Sequence, residues 1–219
     1  MKSFRICMQN IRKWGSNSRI KMCLIMSFLF VYSYISGMWK IIPLVGEKMN
    51  PWIFPFLFCW RFMKIVFMAP IVFIFCDAPF IDSNQSYVML RTSRKKWCFG
   101  QVLYIYAGSV IYAFVLFFST IIINIGHIKW GTSWGKVLGS AGTSTVLSTL
   151  GINYTTVKVP AIVIRYYTPA QAMFFSFLLM VLSFIFIGLL IYTVNVITKT
   201  NVAGTIIAGF FVILTAVVD

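Results

Sequence analysis

Two groups of side chains in this chain have types and spacings suited to chemistry. Tyr87, Val88, Leu90 and Arg91 fall at the spacings of one helical face, with Arg94 one turn further on. An apolar patch flanked by arginines is suited to docking a partner: the apolar residues supply buried contact, and arginine pairs bidentately with carboxylates. Arg61 and Lys64 interrupt a long apolar run at i and i+3, so a helix would carry both on one face. Cations so placed snorkel outward, line a substrate path, or meet at a helix–helix interface.

The chemistry on offer is recognition rather than bond-making. The apolar runs contain no paired carboxylates, and the chain has no HExxH, GxSxG or P-loop motif, so neither a catalytic residue nor an enzymatic activity is expected, and any ATP hydrolysis belongs to a partner. His127 has no second ligand type beside it, and Cys7, Cys23, Cys59, Cys76 and Cys98 show no CxxC spacing. No metal, cofactor or disulfide framework is expected. An ion-coupled carrier is disfavoured as well, because no Asp or Glu lies inside an apolar run.

The elements that must position these residues follow from composition. The chain has 219 residues, 60% of them hydrophobic, and a mean hydropathy of +0.88. A soluble domain cannot hide that much apolar surface, so the expected class is an all-α polytopic membrane protein forming one transmembrane domain over 1–219. Apolar segments at 22–39, 52–76, 99–125, 170–196 and 202–218 give five predicted spans. The 52–76 segment, as one helix of about 37 Å, is long enough to cross with tilt, with Pro70 kinking it. Arg61 and Lys64 at a lipid-facing helix centre would each cost roughly 2.5–3.5 kcal/mol, so they are expected to face protein or water. Pro169 suits the first turn of the fourth span. The 126–168 segment reads as an external loop with a short amphipathic helix around Ser133 to Leu147, or alternatively as a re-entrant segment.

Charge sets the orientation. The net charge of +15 does not point to nucleic acid, because the cations flank apolar runs instead of forming a separate basic domain. Residues 1–21 carry six cations and no acid, and Phe4, Cys7, Met8, Ile11 and Trp14 recur at helical spacing. This predicts an amphipathic interfacial helix, retained as mature sequence and lying on the membrane lipid. With a cytoplasmic N-terminus, the cytoplasmic segments hold eleven cations against six outside, as the positive-inside rule requires. The loop 77–98 is then cytoplasmic, the protein is a multi-pass protein of the cell membrane, and the five crossings leave the C-terminus outside. A short helix around Ser86 to Lys96 either docks a cytosolic partner or belongs to a basic loop that only fixes topology.

The runs CDAPFID, YVMLRTSRKKW and FGQVLYIY, then YYTPAQAMFFSFLL opening the fourth span and NVAGTIIAG opening the fifth, together resemble the membrane-spanning permease subunits of type-2 ABC exporters, particularly small bacterial ones that act beside a separately encoded ATPase. The resemblance covers most of the chain from the first span onward. It implies a permease that moves substrate across the cytoplasmic membrane, a cytosolic ABC ATPase as partner, a second permease subunit in a homo- or heterodimer, and a coupling helix in the 77–98 loop. A sixth span, usual in that family, is lacking. The alternative is a non-transporting structural or immunity-type membrane protein.

Overall fold

The computed structural model describes residues 2–81, 92–142 and 157–217. Among these the chain is helical, with no strand. Its α-helices are α1 (Lys2–Arg12), α2 (Ser18–Ser36), α3 (Ile42–Val45), α4 (Arg61–Phe75), α5 (Arg94–Asn124), α6 (Gly135–Ala141), α7 (Ala161–Tyr166), α8 (Pro169–Thr198) and α9 (Ala203–Val217). Three helical stretches are long and apolar enough to cross a membrane: 18–45, 94–127 and 169–198.

Local chemistry explains several boundaries. Asn17 caps α2, its side chain accepting the backbone N–H of Arg19 at 3.0 Å. Pro169 occupies the first turn of α8, and Gln171 reaches back to accept the N–H of Thr168 at 3.2 Å. The α8 helix ends at Lys199, held in the left-handed region at φ 55°.

Two sequence expectations are corrected. Residues 52–76 are not one helix: Phe54–Phe56 form a 3-10 turn, Trp60 is extended, and α4 begins only at Arg61. Pro51 and Pro55 donate no backbone N–H and bias their predecessors away from α geometry, so helix forms only after them. Arg61 and Lys64 therefore lie in the first turn of a helix of 15 residues, not at the middle of a longer one. Pro70 sits inside α4, and Tyr112 donates to the carbonyl of Phe67 at 3.1 Å in the turn before it, where a proline weakens the helical ladder. The second correction concerns Arg94 to Cys98. They belong to α5, whose ladder starts with Trp97 N–H on Ser93 O at 3.1 Å. The amphipathic helix expected from Ser133 is present as Gly135–Ala141; its expected continuation to Leu147 lies outside the described residues.

The core gathers where α2, α4, α5 and α8 meet. Tyr112 is wholly buried, shares a 2.9 Å hydrogen bond with Ser27, and so ties α5 to α2 and α4. The irregular stretch 49–57 is buried almost throughout. Part of its backbone bonds within the stretch, Phe56 N–H to Ile53 O and Leu57 N–H to Phe54 O, and part from outside it: Met49 pairs with His127 and Lys129 through backbone hydrogen bonds of 3.0 and 2.9 Å, and Tyr34 donates to Phe56 O at 3.1 Å. Outward, α8 and α9 expose a belt of large apolar residues, including Leu179, Ile206 and Phe210. So broad an apolar surface is compatible with a membrane-embedded protein.

The first helix packs along the start of α5 instead of standing apart. Ser3 donates to Lys96 O at 2.8 Å, Asn10 to Gln101 Oε1 at 2.8 Å, and the Trp14 indole to the Tyr104 hydroxyl at 2.9 Å. Its buried side is Ile6, Cys7 and Asn10, while Phe4 is exposed. The inward face keeps Cys7, Ile11 and Trp14 of the apolar face expected from sequence and takes in Ile6 and Asn10 in place of Phe4. Asn10 must reach Gln101, and Gly100 lets the α1 backbone approach so closely that an added Cβ would lie 3.0 Å from Ser3 O.

Candidate functional site

Tyr87, Val88, Leu90 and Arg91 lie outside the described residues. Arg94, the remaining member of that group, is exposed in the first turn of α5. What the structure describes is the ground on both sides of the 82–91 segment. On its near side the chain leaves α4 through a corner, Cys76 to Ile81; on its far side it passes buried Thr92 into α5.

That corner is tied to four helices. Arg19, in the first turn of α2, donates to both carboxylate oxygens of Asp77, through Nη1 at 2.9 Å and through Nη2 in a second bond. Asn195, buried in α8, donates to Ala78 O at 2.8 Å and accepts the N–H of Gly204 at 2.7 Å. Thr205 of α9 reaches Cys76 O at 3.5 Å. The Phe80 ring stands edge-on to Tyr104 of α5, with centroids 4.7 Å apart, and Tyr104 holds Trp14 behind α1. At the other edge, Cys98 and the Tyr192 hydroxyl sit 3.1 Å apart, joining α5 to α8.

Electrostatics at the corner follow this geometry. The Arg19 guanidinium, by its hydrogen bonds to Asp77, holds that carboxyl below the ordinary range despite partial burial. Burial raises the Cys7 thiol above its ordinary value. Cys7 is therefore a thiol and not a thiolate at neutral pH, and a poor nucleophile. Asn10, Lys13, Asn17, Arg19, Asp77 and Asn201 help line a polar cavity of about 360 Å³ beside the corner.

Arg61 and Lys64 separate. Arg61 is exposed. Lys64 lines a cavity of about 700 Å³ between α4, α8 and α9, with Phe58, Met68, Phe211 and the hydroxyl-bearing Ser176, Ser183 and Thr215. Sequence reasoning found Lys64 but missed the corner's polar partners. Asn195 carried a signal, an amide within the most apolar stretch of the chain; Arg19 and Asp77, 58 residues apart in sequence, carried none.

No family model, curated protein or solved structure matches the chain.

Proposed function

We propose that the chain is the permease subunit of an ABC transporter, an exporter whose ATP hydrolysis is carried out by a separate cytosolic subunit and whose permease unit is completed by a second permease chain. Residues 1–21, 77–98 and 198–201 face the cytoplasm, 40–51 and 126–168 face outward, and the chain crosses the membrane five times. In the second crossing, α4 covers only about 22 Å of a hydrocarbon core roughly 30 Å thick. The largely buried 52–57 stretch extends it. Non-helical backbone at that depth is tolerated when protein surrounds it, as it does here.

The observation that carries this reading is the corner at Cys76 to Ile81, hydrogen-bonded to α2, α8 and α9 and packed edge-on against Tyr104 of α5. A partner pressing on the 82–91 segment moves this corner, and through it the membrane helices together, which is the mechanical requirement of a coupling element. A loop that only fixed topology would need its cations and no such ties. Tyr87, Val88 and Leu90 supply the docking contact, and Arg91 and Arg94 pair with acids of the ATPase.

The test is recovery of the full chain from its native membrane in mild detergent, with ATP hydrolysis of the eluate measured against a Tyr87→Ser/Leu90→Ser variant. The reading expects vanadate-sensitive hydrolysis with the unaltered chain and its loss with the variant. Recovery of a chain with no hydrolysis above a mock purification favours the structural or immunity-type alternative.

A further inference from the structure

We propose that α4 carries a hinge at Pro70 whose two positions are set by two buried hydroxyls, Ser27 of α2 and Tyr112 of α5, through the way they share their protons. Both residues are wholly buried. The pair makes three short contacts: Ser27 Oγ lies 2.7 Å from Cys23 O and 2.9 Å from the Tyr112 hydroxyl, which in turn lies 3.1 Å from Phe67 O. Each hydroxyl has one proton to donate, so two protons serve three contacts. The contact between the two hydroxyl oxygens needs one of them, because without it lone pairs would face each other at 2.9 Å. Two arrangements remain. In the first, Ser27 donates to Tyr112 and Tyr112 donates to Phe67 O, while Cys23 O is left to its own helix. In the second, Ser27 donates to Cys23 O, Tyr112 donates to Ser27, and Phe67 O is released.

The release matters because of where Phe67 sits. Pro70 lies inside α4. It offers no N–H to the carbonyl of Val66, four residues earlier, and its ring crowds that turn. The Tyr112 hydroxyl therefore braces the weakest turn of α4 from outside. Beyond it, Ile71 to Phe75 lead directly into the corner at Cys76 to Ile81. The Phe75 ring lies against two glycines, Gly108 of α5 and Gly188 of α8, where an added Cβ would stand 3.0 and 2.9 Å from the ring. Backbone without a side chain faces Phe75 at both places, so a tilt of this half of α4 meets no side chain there. The hinge is a property of the chain alone; only the idea that force arriving at the corner tips it rests on the coupling reading.

The test is hydrogen–deuterium exchange of the purified full chain in detergent, read by mass spectrometry on peptides covering 64–75, with peptides of α8 as the internal control. The two hydroxyl deletions should act in opposite directions. Tyr112→Phe removes the one hydroxyl that reaches Phe67 O among the described residues, so exchange on these peptides should quicken several-fold. Ser27→Ala leaves the Tyr112 proton a single acceptor, Phe67 O, so the brace becomes permanent and exchange should slow several-fold below the parent. The double variant should match Tyr112→Phe, since the brace is gone whatever occupies position 27. Pro70→Ala restores the missing N–H and should abolish the response to both changes. Quickening by both single variants, quickening that spreads to the α8 peptides, no response to either variant, or a response that survives Pro70→Ala would each overturn the proposal. If Tyr112→Phe does not fold, Ser27→Ala decides alone, because losing a buried hydrogen bond without a switch quickens exchange and cannot slow it. No ATPase enters this measurement, so its failure is distinct from a failure of the hydrolysis measurement.

Discussion

Asn195 accepts the backbone N–H of Gly204 at 2.7 Å, and its own amide nitrogen donates to Ala78 O at 2.8 Å. One buried amide thus fastens the α8–α9 turn and the corner after α4 to each other. Gly204 makes this possible: a Cβ there would lie 2.5 Å from the carbonyl of Ile191, so α9 could not close on α8 with a larger residue.

Replacing that amide strands two backbone groups. Asn195→Leu leaves the Ala78 carbonyl and the Gly204 N–H buried without this partner, at a cost of about 1–3 kcal/mol for each group left unsatisfied. The thermal unfolding midpoint of the detergent-purified chain should fall clearly, and Gly204→Ala should lower it as well. A midpoint unchanged by both substitutions would show that the turn and the corner are held by something else.

The Arg19–Asp77 pair predicts a pH dependence of definite sign. Because Arg19 depresses the Asp77 pKa in the folded chain below its ordinary value of 3.8, the pair's contribution is fully present above that value. It is lost as pH falls through the lower, folded value. The difference in unfolding midpoint between the parent and Asp77→Asn should therefore be constant from about pH 5 to 8 and shrink below about pH 4. The pair is solvent-exposed, with Asp77 58% accessible, so the difference should be small and should diminish with added salt. A difference that grows on acidification contradicts the assignment.

Much of the fold was legible because hydropathy and helix caps are local signals. The 30-residue α8 begins at the proline that sequence placed there. The 52–76 segment was misread because an apolar run with prolines reads the same whether it is helix or buried irregular chain. Only the ladder between Met49, His127 and Lys129, residues far apart in sequence, shows which. The face of α1 was legible in part: Cys7, Ile11 and Trp14 pack inward together, but hydropathy ranks Phe4 above Asn10, whereas the hydrogen bond from Asn10 to Gln101 and the close approach at Gly100 bring Asn10 inward and leave Phe4 exposed. Lys64 was legible as a cation in an apolar run, but its separation from Arg61 was not, since the cavity is made by α8 and α9.

Topology can be checked residue by residue. In a chain whose five native cysteines are replaced, a cysteine at Lys158 should react with a membrane-impermeant maleimide in intact cells. One at Ser86 should react only after the cells are opened. The reverse pattern would invert the orientation and remove the basis for a cytosolic partner at the 82–91 segment.

The sharpest division between a docking element and a topological anchor lies in the apolar positions of that segment. Tyr87→Ser with Leu90→Ser keeps every cation, so positive-inside anchoring and membrane insertion should be unchanged. Under the coupling reading the same pair removes the buried centre of the contact, where aromatic and aliphatic anchors carry most of an interface's affinity. ATPase recovery and stimulated hydrolysis should then disappear. Arg94→Ala leaves those anchors in place and removes one cation of the rim, so it should weaken the complex modestly and mainly at low ionic strength. The order of the two effects is the test, read by titrating salt during recovery of the complex. If the serine pair leaves ATPase recovery intact while Arg94→Ala abolishes it, the contact is electrostatic and the apolar face has no part in it. If neither change matters, the segment holds the topology alone, and the ties at Asp77, Ala78 and Asn195 serve only to hold the helices together.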